Sequence, residues 1–578
     1  MAARTYPEFS THYPLLLTTF MKRPAGLYPN HTGVVYRNPT TGEYFRFTWL
    51  EWYQRTCLLA RALQGPLGVA PGRPGEPGDR IATMALNHHR HLELYYAVPC
   101  TGAVLHPINV RLSPDHIVHT INHAQDKIVF VDDLVLPLLE GIYDRIKDTV
   151  EKFVYMSDKP GLPETKLEPI QEYEELLKEQ EPGFEWPALH EDNYATLCYT
   201  TGTTGLPKGA MFTHRQLYLH TVHVMISVAV STDPARVHLG EADVPLIITP
   251  LFHAHAWGAP FTHAFAANKM VLPGMFTVDG FCELIQTEKV TSTAVVPTIL
   301  AMIIEFEDLD KYDLSSLKNL SVGGGALPLG LKKKAEKMIP GFSATSGYGM
   351  TETAPVVVTA FSKKFMADWS EEQLDAVRVK TGLPIPGIDV KVVDEEMNPV
   401  PPDNETVGEI VLRGPWITGE YFKEPEKTAD VWRDGWFHTG DAARIDEEGY
   451  ITIADRIKDV IRSGSEMVPT VLLENLTATA DFVLEATYVG VPDEKWGERP
   501  AALMKLVPGA TETEDDVMKY LETEGVEKGR ITRWMLPDYI LITDQIPKTS
   551  VGKFDKIAIR RNLDALLANA RKTSGWRE

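Results

Sequence analysis

Short apolar runs rich in β-branched residues alternate with helix-like segments over most of this chain, and that alternation limits the fold more than any other feature. Arg80–Leu86, Lys127–Val131 and Thr293–Val296 are examples of the runs. Strands separated by helices cannot pair as hairpins, so the pattern predicts an α/β protein of sheets covered by helices. At 578 residues the chain is too long for one core and calls for more than one domain. Gly65–Gly78, with its repeated Pro and Gly, reads as a surface loop, and Ser362–Val379 as a charged, helix-like, exposed excursion. Past Gly408 the text changes. Glu409–Arg413 and Tyr450–Ala454 read as strands joined by a turn-rich stretch, Glu424–Gly440.

Composition removes several classes of function. Asp and Glu outnumber Lys and Arg by 79 to 57, a net charge of −22, which argues against a nucleic-acid partner because a phosphate backbone needs a basic face. Cys57, Cys100, Cys198 and Cys282 show neither metal-ligand spacing nor a paired pattern, so a reducing, cytoplasmic setting is the simplest expectation. Met1–Asn30 lacks the arrangement of a secretory signal. Val244–Asn268 contains no Asp, Glu, Lys or Arg and is long enough to span a bilayer. Pro245, Pro250, Pro260 and three histidines interrupt it, so it reads as the buried wall of a site, with no transmembrane segment expected.

The chemistry is concentrated in a few stretches. Residues 199–209 read Tyr-Thr-Thr-Gly-Thr-Thr-Gly-Leu-Pro-Lys-Gly, between an apolar run, Ala195–Tyr199, and a helix expected from about Arg215. Thr200, Thr201, Thr203 and Thr204 offer hydroxyls, Gly202 and Gly205 let the backbone approach a ligand, and Lys208 adds a full positive charge. That combination is a phosphate cradle. It is not a Walker loop, since Gly209 follows Lys208 where Ser or Thr would be required. A second stretch, Ser346-Gly347-Tyr348-Gly349-Met350-Thr351-Glu352, pairs a flat ring on which adenine could stack with a hard carboxylate suited to Mg2+. Gly323-Gly324-Gly325-Ala326 leaves room for a ligand against the backbone, or is a plain strand-to-helix loop. Thr439-Gly440-Asp441 could bind a ribose or be an ordinary turn, and Lys548–Lys553 could be a solvated tail.

These stretches, in this order from about Trp49 to Lys553, resemble the AMP-forming adenylating enzymes, and most of all the medium- and long-chain fatty acyl-CoA synthetases. His89–Tyr95, Gly102–Asn109, Phe252–Trp257 and Lys380–Pro386 carry the narrower likeness. The resemblance implies a large N-terminal domain, residues 1–455, and a small mobile α+β domain, residues 456–578, with a hinge at 455–459 in which Lys458 is the pivot. It implies a two-step ligase using ATP and CoA with Mg2+: an acid becomes an acyl-adenylate with release of pyrophosphate, and CoA then takes the acyl group and releases AMP. By the same resemblance Lys553 is the catalytic lysine, while Thr200 and Glu352 hold the metal. Thr351 lies at the phosphate, Asp441 and Arg456 at the ribose, and Arg462 with Lys458 at the cofactor side. Gly324, Gly325 and Ala326 line the adenine and acyl pockets. His253 stands beside the reacting carboxylate, with Ala254 and Trp257 at the mouth of the acyl tunnel. A short, aromatic or sulfur-containing acid remains an alternative substrate, and an inactive acyl or nucleotide sensor an alternative class. A homodimer is implied by the resemblance alone. The text departs from the family at Ser463-Gly464-Ser465-Glu466, at Met467 and over Leu476–Glu485, which faces the expected CoA side.

Overall fold

Four sheets organise the chain in a computed structural model that describes residues 13–200, 206–233, 239–456, 459–463, 466–549, 553–568 and 570–573. A seven-stranded sheet is built from residues 80–213. Its strands Arg80–Met84, Val104–Pro107, Asp126–Asp132 and Tyr194–Tyr199 run parallel, and Gly209–Thr213 closes one edge antiparallel. A nine-stranded sheet contains Ser292–Val295, Asn319–Val322 and Ser343–Gly349 as parallel neighbours. Helices cover these sheets, as the alternation predicts. A five-stranded antiparallel sheet follows, and a six-stranded sheet drawn entirely from residues 461–572 belongs to the smaller C-terminal domain. The five expected strands are present with no end displaced by more than two residues.

The helix expected near Arg215 spans His214–Val230. It starts there because Thr213 accepts from the Gln216 amide while the Gln216 side chain returns the bond to the Thr213 amide. Two expectations need correcting. The excursion at 362–379 is not simply exposed: the helix Glu371–Arg378 buries Leu374 and Val377, and Arg378 reaches Asp233 at 3.0 Å. Its charges hid an amphipathic pattern. The stretch 424–440 is not mainly turn either, because it holds the helix Pro425–Val431 and the start of a long strand, Trp436–Ile445. Among the described residues no helix is long and apolar enough to cross a membrane. The charge-free wall instead breaks into the short strand Pro245–Leu246, a turn at 254–257 and the helix Ala259–Ala266.

Candidate active site

The carboxyl ends of the parallel strands meet at one cavity of about 470 Å³, the place where open α/β sheets bind ligands. Register explains the meeting. Val322 pairs with Ser346, so the glycine run leaves the nine-stranded sheet beside the point where the neighbouring strand carries on to Tyr348. From the other sheet, Tyr199 pairs with Gly209, and the Thr200 amide donates to the Lys208 carbonyl at 2.8 Å, closing the base of the phosphate loop. Thr201, Gly202, Thr203, Thr204 and Gly205 lie outside the described residues, as does Lys458.

The polar half of the cavity is tightly bonded. Tyr348 donates its hydroxyl to Asp441 at 2.6 Å, and Asp441 is paired with Arg456 at 2.7 Å. Asp441 and Arg456 face each other because they are register partners on the antiparallel strands Trp436–Ile445 and Ile451–Arg456. Burial, and Asp441 beside it, push the Tyr348 phenol well above its usual value, so it remains a donor. Glu352 is buried and accepts from the Tyr421 hydroxyl at 2.7 Å. The Lys208 ammonium sits 4.9 Å over the Tyr421 ring. Tyr421 escaped the sequence reading. Its only signal is structural: Ala210 bridges to Tyr421, and the Phe422 amide donates to Gly209, which ties this residue to the phosphate-loop strand.

Lys553 and Trp257 approach the glycine run from different sides. A Cβ on Gly324 would stand 3.3 Å from Lys553 Cε, and one on Gly323 would stand 3.0 Å from the Trp257 ring. Gly324 also has φ +74, so both space and conformation favour glycine there. Lys553 is open to solvent at the cavity mouth, yet the walls crowding its ammonium, with Arg456 nearby, bring it down to about 8 against the pull of Asp441 and Glu352. His253 lines the same cavity and is held to about 3 by burial, Lys553 and Arg111, so it is neutral at physiological pH. Thr200, Ala254, Ser346, Gly347, Gly349 and Thr351 also line the cavity.

Four expected residues are not brought to its wall. Asp441 is buried behind it, bonded to Tyr348 and Arg456, which do line it. Gly325 and Ala326 are exposed beyond it, because the chain turns away after Gly324. Arg462 is exposed on the strand Ile461–Ser463, its amide bonded to Glu498 at 3.0 Å.

The apolar half continues between the helices His214–Val230 and Ala259–Ala266, where Val224, Val228, Leu239 and Ala259 form the wall. Its entrance has unusual backbone. Ala254, His255, Ala256 and Trp257 all have positive φ, from 43° to 60°, and Gly258 follows at 83°. Each such non-glycine residue costs roughly 1–2 kcal/mol, so the surrounding packing must hold the turn.

The family description "AMP-binding enzyme" matches residues 21–422, and "AMP-binding enzyme C-terminal domain" matches residues 472–553. The chain belongs to this family, the adenylate-forming acyl-CoA synthetases. It is 41% identical, over 96% of its length and 97% of the relative's, to a long-chain-fatty-acid–CoA ligase of Thermus thermophilus. It is 34% identical to a 3-methylmercaptopropionyl-CoA ligase of Ruegeria pomeroyi, over 85% of this chain and 88% of that one. A crystal structure of an anthranilate CoA ligase in complex with anthranoyl-AMP superposes with a TM-score of 0.81, covering 96% of this chain and 99% of that one. At 21% identity that likeness shows the fold. As a member of this family the protein is an acid–thiol ligase that works through an acyl-adenylate.

Proposed function

We propose that this enzyme joins a medium- or long-chain fatty acid to CoA. The observation that carries the reading is the junction at Gly324: the Lys553 side chain and the Trp257 ring both pack against this glycine where a polar, phosphate-ready chamber opens into an apolar arm. A carboxylate at the junction would project its alkyl chain toward Val228 and Leu239. The 41% identity to a long-chain ligase supports the same substrate.

In the first step a carboxylate oxygen bonds to the α-phosphorus of ATP while the bond from that phosphorus to the bridging oxygen breaks, and pyrophosphate leaves with both electrons. The reactants are both anions. Lys553 offsets the charge gathering on the α-phosphate oxygens, and Lys208 that on the departing pyrophosphate. Neutral His253 accommodates the carboxylate without binding a proton from bulk water. Asp441 holds the ribose and Arg456 keeps Asp441 oriented. The oxygens of Glu352 and Thr200 fit Mg2+, which takes one or two protein ligands and fills its shell with phosphate and water. Bound there, it would neutralise phosphate charge. In the second step the CoA sulfur bonds to the acyl carbon, the mixed anhydride breaks, AMP leaves and the thiol proton passes to solvent.

The two steps need different faces of one site. A hinge at 455–459, dividing 1–455 from 456–578, would withdraw Lys553 and open a path for pantetheine. Asp455 is gripped from beyond that point, accepting from the Thr470 amide at 3.0 Å and hydroxyl at 2.6 Å, and Asp459 pairs with Arg560 at 2.5 Å. The Asp455 bonds cross that division and favour the arrangement with Lys553 inserted, while the Asp459–Arg560 pair lies within 456–578.

The test is pyrophosphate release with Mg-ATP, CoA and a ladder of acids from acetate to palmitate, together with benzoate and 3-(methylthio)propionate. Each buried methylene adds about 0.8 kcal/mol, so kcat/KM is expected to climb about fourfold per carbon until the arm is full. A maximum at 3-(methylthio)propionate, acetate or benzoate overturns the fatty-acid assignment.

A further inference from the structure

His255 is one residue removed from the cavity wall on either side and does not line it. Ala254 and Ala256 do, and so do His253 and Trp257. The imidazole turns the other way, into the core, where it is fully buried among Tyr95, Phe212 and Phe261. Its Nε2 lies 2.8 Å from Thr196 Oγ1 and 3.2 Å from Cys198 Sγ. Both partners sit on the strand Tyr194–Tyr199, which runs straight into the phosphate loop at Thr200. The ring therefore joins two pieces of backbone that meet the ligand from opposite sides: the phosphate-loop strand and the left-handed turn carrying His253 and Trp257.

An apolar residue would fill this space more simply, because a buried polar ring costs free energy unless it is bonded. Among the described residues Nδ1 has no partner, so the ring is retained despite one unmet group. Burial holds the imidazole to about 3, so it is neutral, and either tautomer can make the Thr196 bond. The turn needs an anchor. Four successive non-glycine residues in left-handed backbone do not persist unless the surroundings over-determine them. The turn's own ties are few: the Ala256 amide donates to the His253 carbonyl at 2.9 Å and the Gly258 amide to the His255 carbonyl at 2.8 Å. Upstream, the Tyr95 hydroxyl donates to the Leu251 carbonyl.

We infer that His255 is a positioning residue: through its bond to Thr196 it fixes the left-handed turn against the phosphate-loop strand, so that His253 and Trp257 address an acid held in register with the nucleotide. The inference rests on the reading of 253–257 as the acid's side of the site and adds a residue that touches no reactant.

The experiment compares His255→Leu, His255→Gln and Thr196→Val in the full chain with the wild type, using the acid that the ladder ranks first. Loss of one buried hydrogen bond predicts kcat/KM for the acid lower by about tenfold in His255→Leu and in Thr196→Val, with the KM for ATP within about twofold. The double variant should be no worse than the worse single one, because both changes cut the same bond. His255→Gln, which can still reach Thr196, should recover most of the loss. Hydrogen exchange in the ligand-free protein gives a second reading that needs no substrate. Amides at 253–258 should exchange faster in His255→Leu and Thr196→Val, while those at 278–288 should not. That measurement stands even if the fatty-acid reading fails. Thr196→Val also breaks the bond from the other side should His255→Leu not fold. Equal losses for acid and ATP, additive losses in the double variant, or unchanged exchange at 253–258 would overturn the inference.

Discussion

The two halves of the cavity are held together by different means. In the polar half each functional group rests on another: Tyr348 on Asp441, Asp441 on Arg456, Glu352 on Tyr421, and Lys208 over the same Tyr421 ring. Strand register sets Asp441 against Arg456, and the bridge from Ala210 to Tyr421 ties that residue to the phosphate-loop strand, so these bonds are already made without ATP. In the other half Val224, Val228, Leu239 and Ala259 line a wall beside a left-handed turn, with Ser227, Thr262 and His263 among them, so shape decides more of what fits than a bonded network does. A site divided in this way keeps its chemistry constant and its substrate adjustable. Within this family a change of acid therefore calls for new side chains in the apolar arm, with the polar chamber left alone.

The largest effect should come from Lys553, which the proposed mechanism uses in only one of the two steps. Lys553→Ala is expected to lower acyl-adenylate formation by about 10²- to 10³-fold, the usual cost of one charge-stabilising group. Thioester formation from preformed acyl-AMP and CoA should stay close to wild type. Equal losses in both steps, measured by pyrophosphate release and by CoA consumption, would end the distinction. The same lysine sets a pH limit. Its folded-state value lies below the ordinary 10.5, at about 8, and in the proposed role the protonated form is the active one. The rate of adenylation at low substrate should therefore fall as pH rises through about 8. Saturating Mg-ATP brings negative charge to the ammonium, raises its pKa and moves the falling limb upward. Lys553→Arg should abolish that limb, because guanidinium does not titrate in the range.

The apolar half should respond in the opposite manner. Val228→Phe narrows the arm where the cavity passes the helix His214–Val230. The expected result is a shift of the chain-length maximum toward shorter acids, each lost methylene contact costing about fourfold, with the KM for ATP unchanged. A uniform fall for every acid would mean that the arm does not hold the alkyl chain.

Tyr421→Phe probes the polar half more gently. It leaves the ring under Lys208 and removes only the hydroxyl that Glu352 accepts. One hydrogen bond of this kind is worth about 0.5–1.5 kcal/mol, so adenylation should slow by about three- to tenfold. If Glu352 holds Mg2+, more magnesium should be needed for half-maximal rate. An unchanged magnesium requirement would separate Tyr421 from the metal.

The contrast also explains what could be read before the fold was in view. Thr200, Lys208, Ser346–Glu352 and Lys553 lie in contiguous stretches whose residue types announce their chemistry, and they line one cavity. The alternation of β-branched runs and helices announced the sheets. Tyr421 and His255 were not legible as partners. Their contacts, to Glu352 and to Thr196, arise from strand register and from a left-handed turn, neither of which leaves a local pattern. The helix Glu371–Arg378 was hidden for the reverse reason, since its charged residues masked the Leu374 and Val377 face that packs inward. Gly325 and Ala326 show a motif extending past the geometry that uses it: Gly323 and Gly324 meet the Trp257 ring and the Lys553 side chain, and the next residue is already outside.

Arg462 tests where the polar half ends. The family resemblance implied a cofactor contact, yet its side chain is exposed on the strand Ile461–Ser463 and absent from the cavity wall, whereas Arg456, six positions earlier, is in that wall and bonded to Asp441. With Lys553 inserted, Arg462→Ala is expected to change adenylate formation by less than about twofold, as for surface substitutions generally. Arg456→Ala should cost far more, because it leaves the buried Asp441 carboxylate without its cation. Measured side by side as pyrophosphate release, these two arginines mark the boundary of the nucleotide site. A loss at Arg462 equal to that at Arg456 would move that boundary past the hinge to the strand Ile461–Ser463.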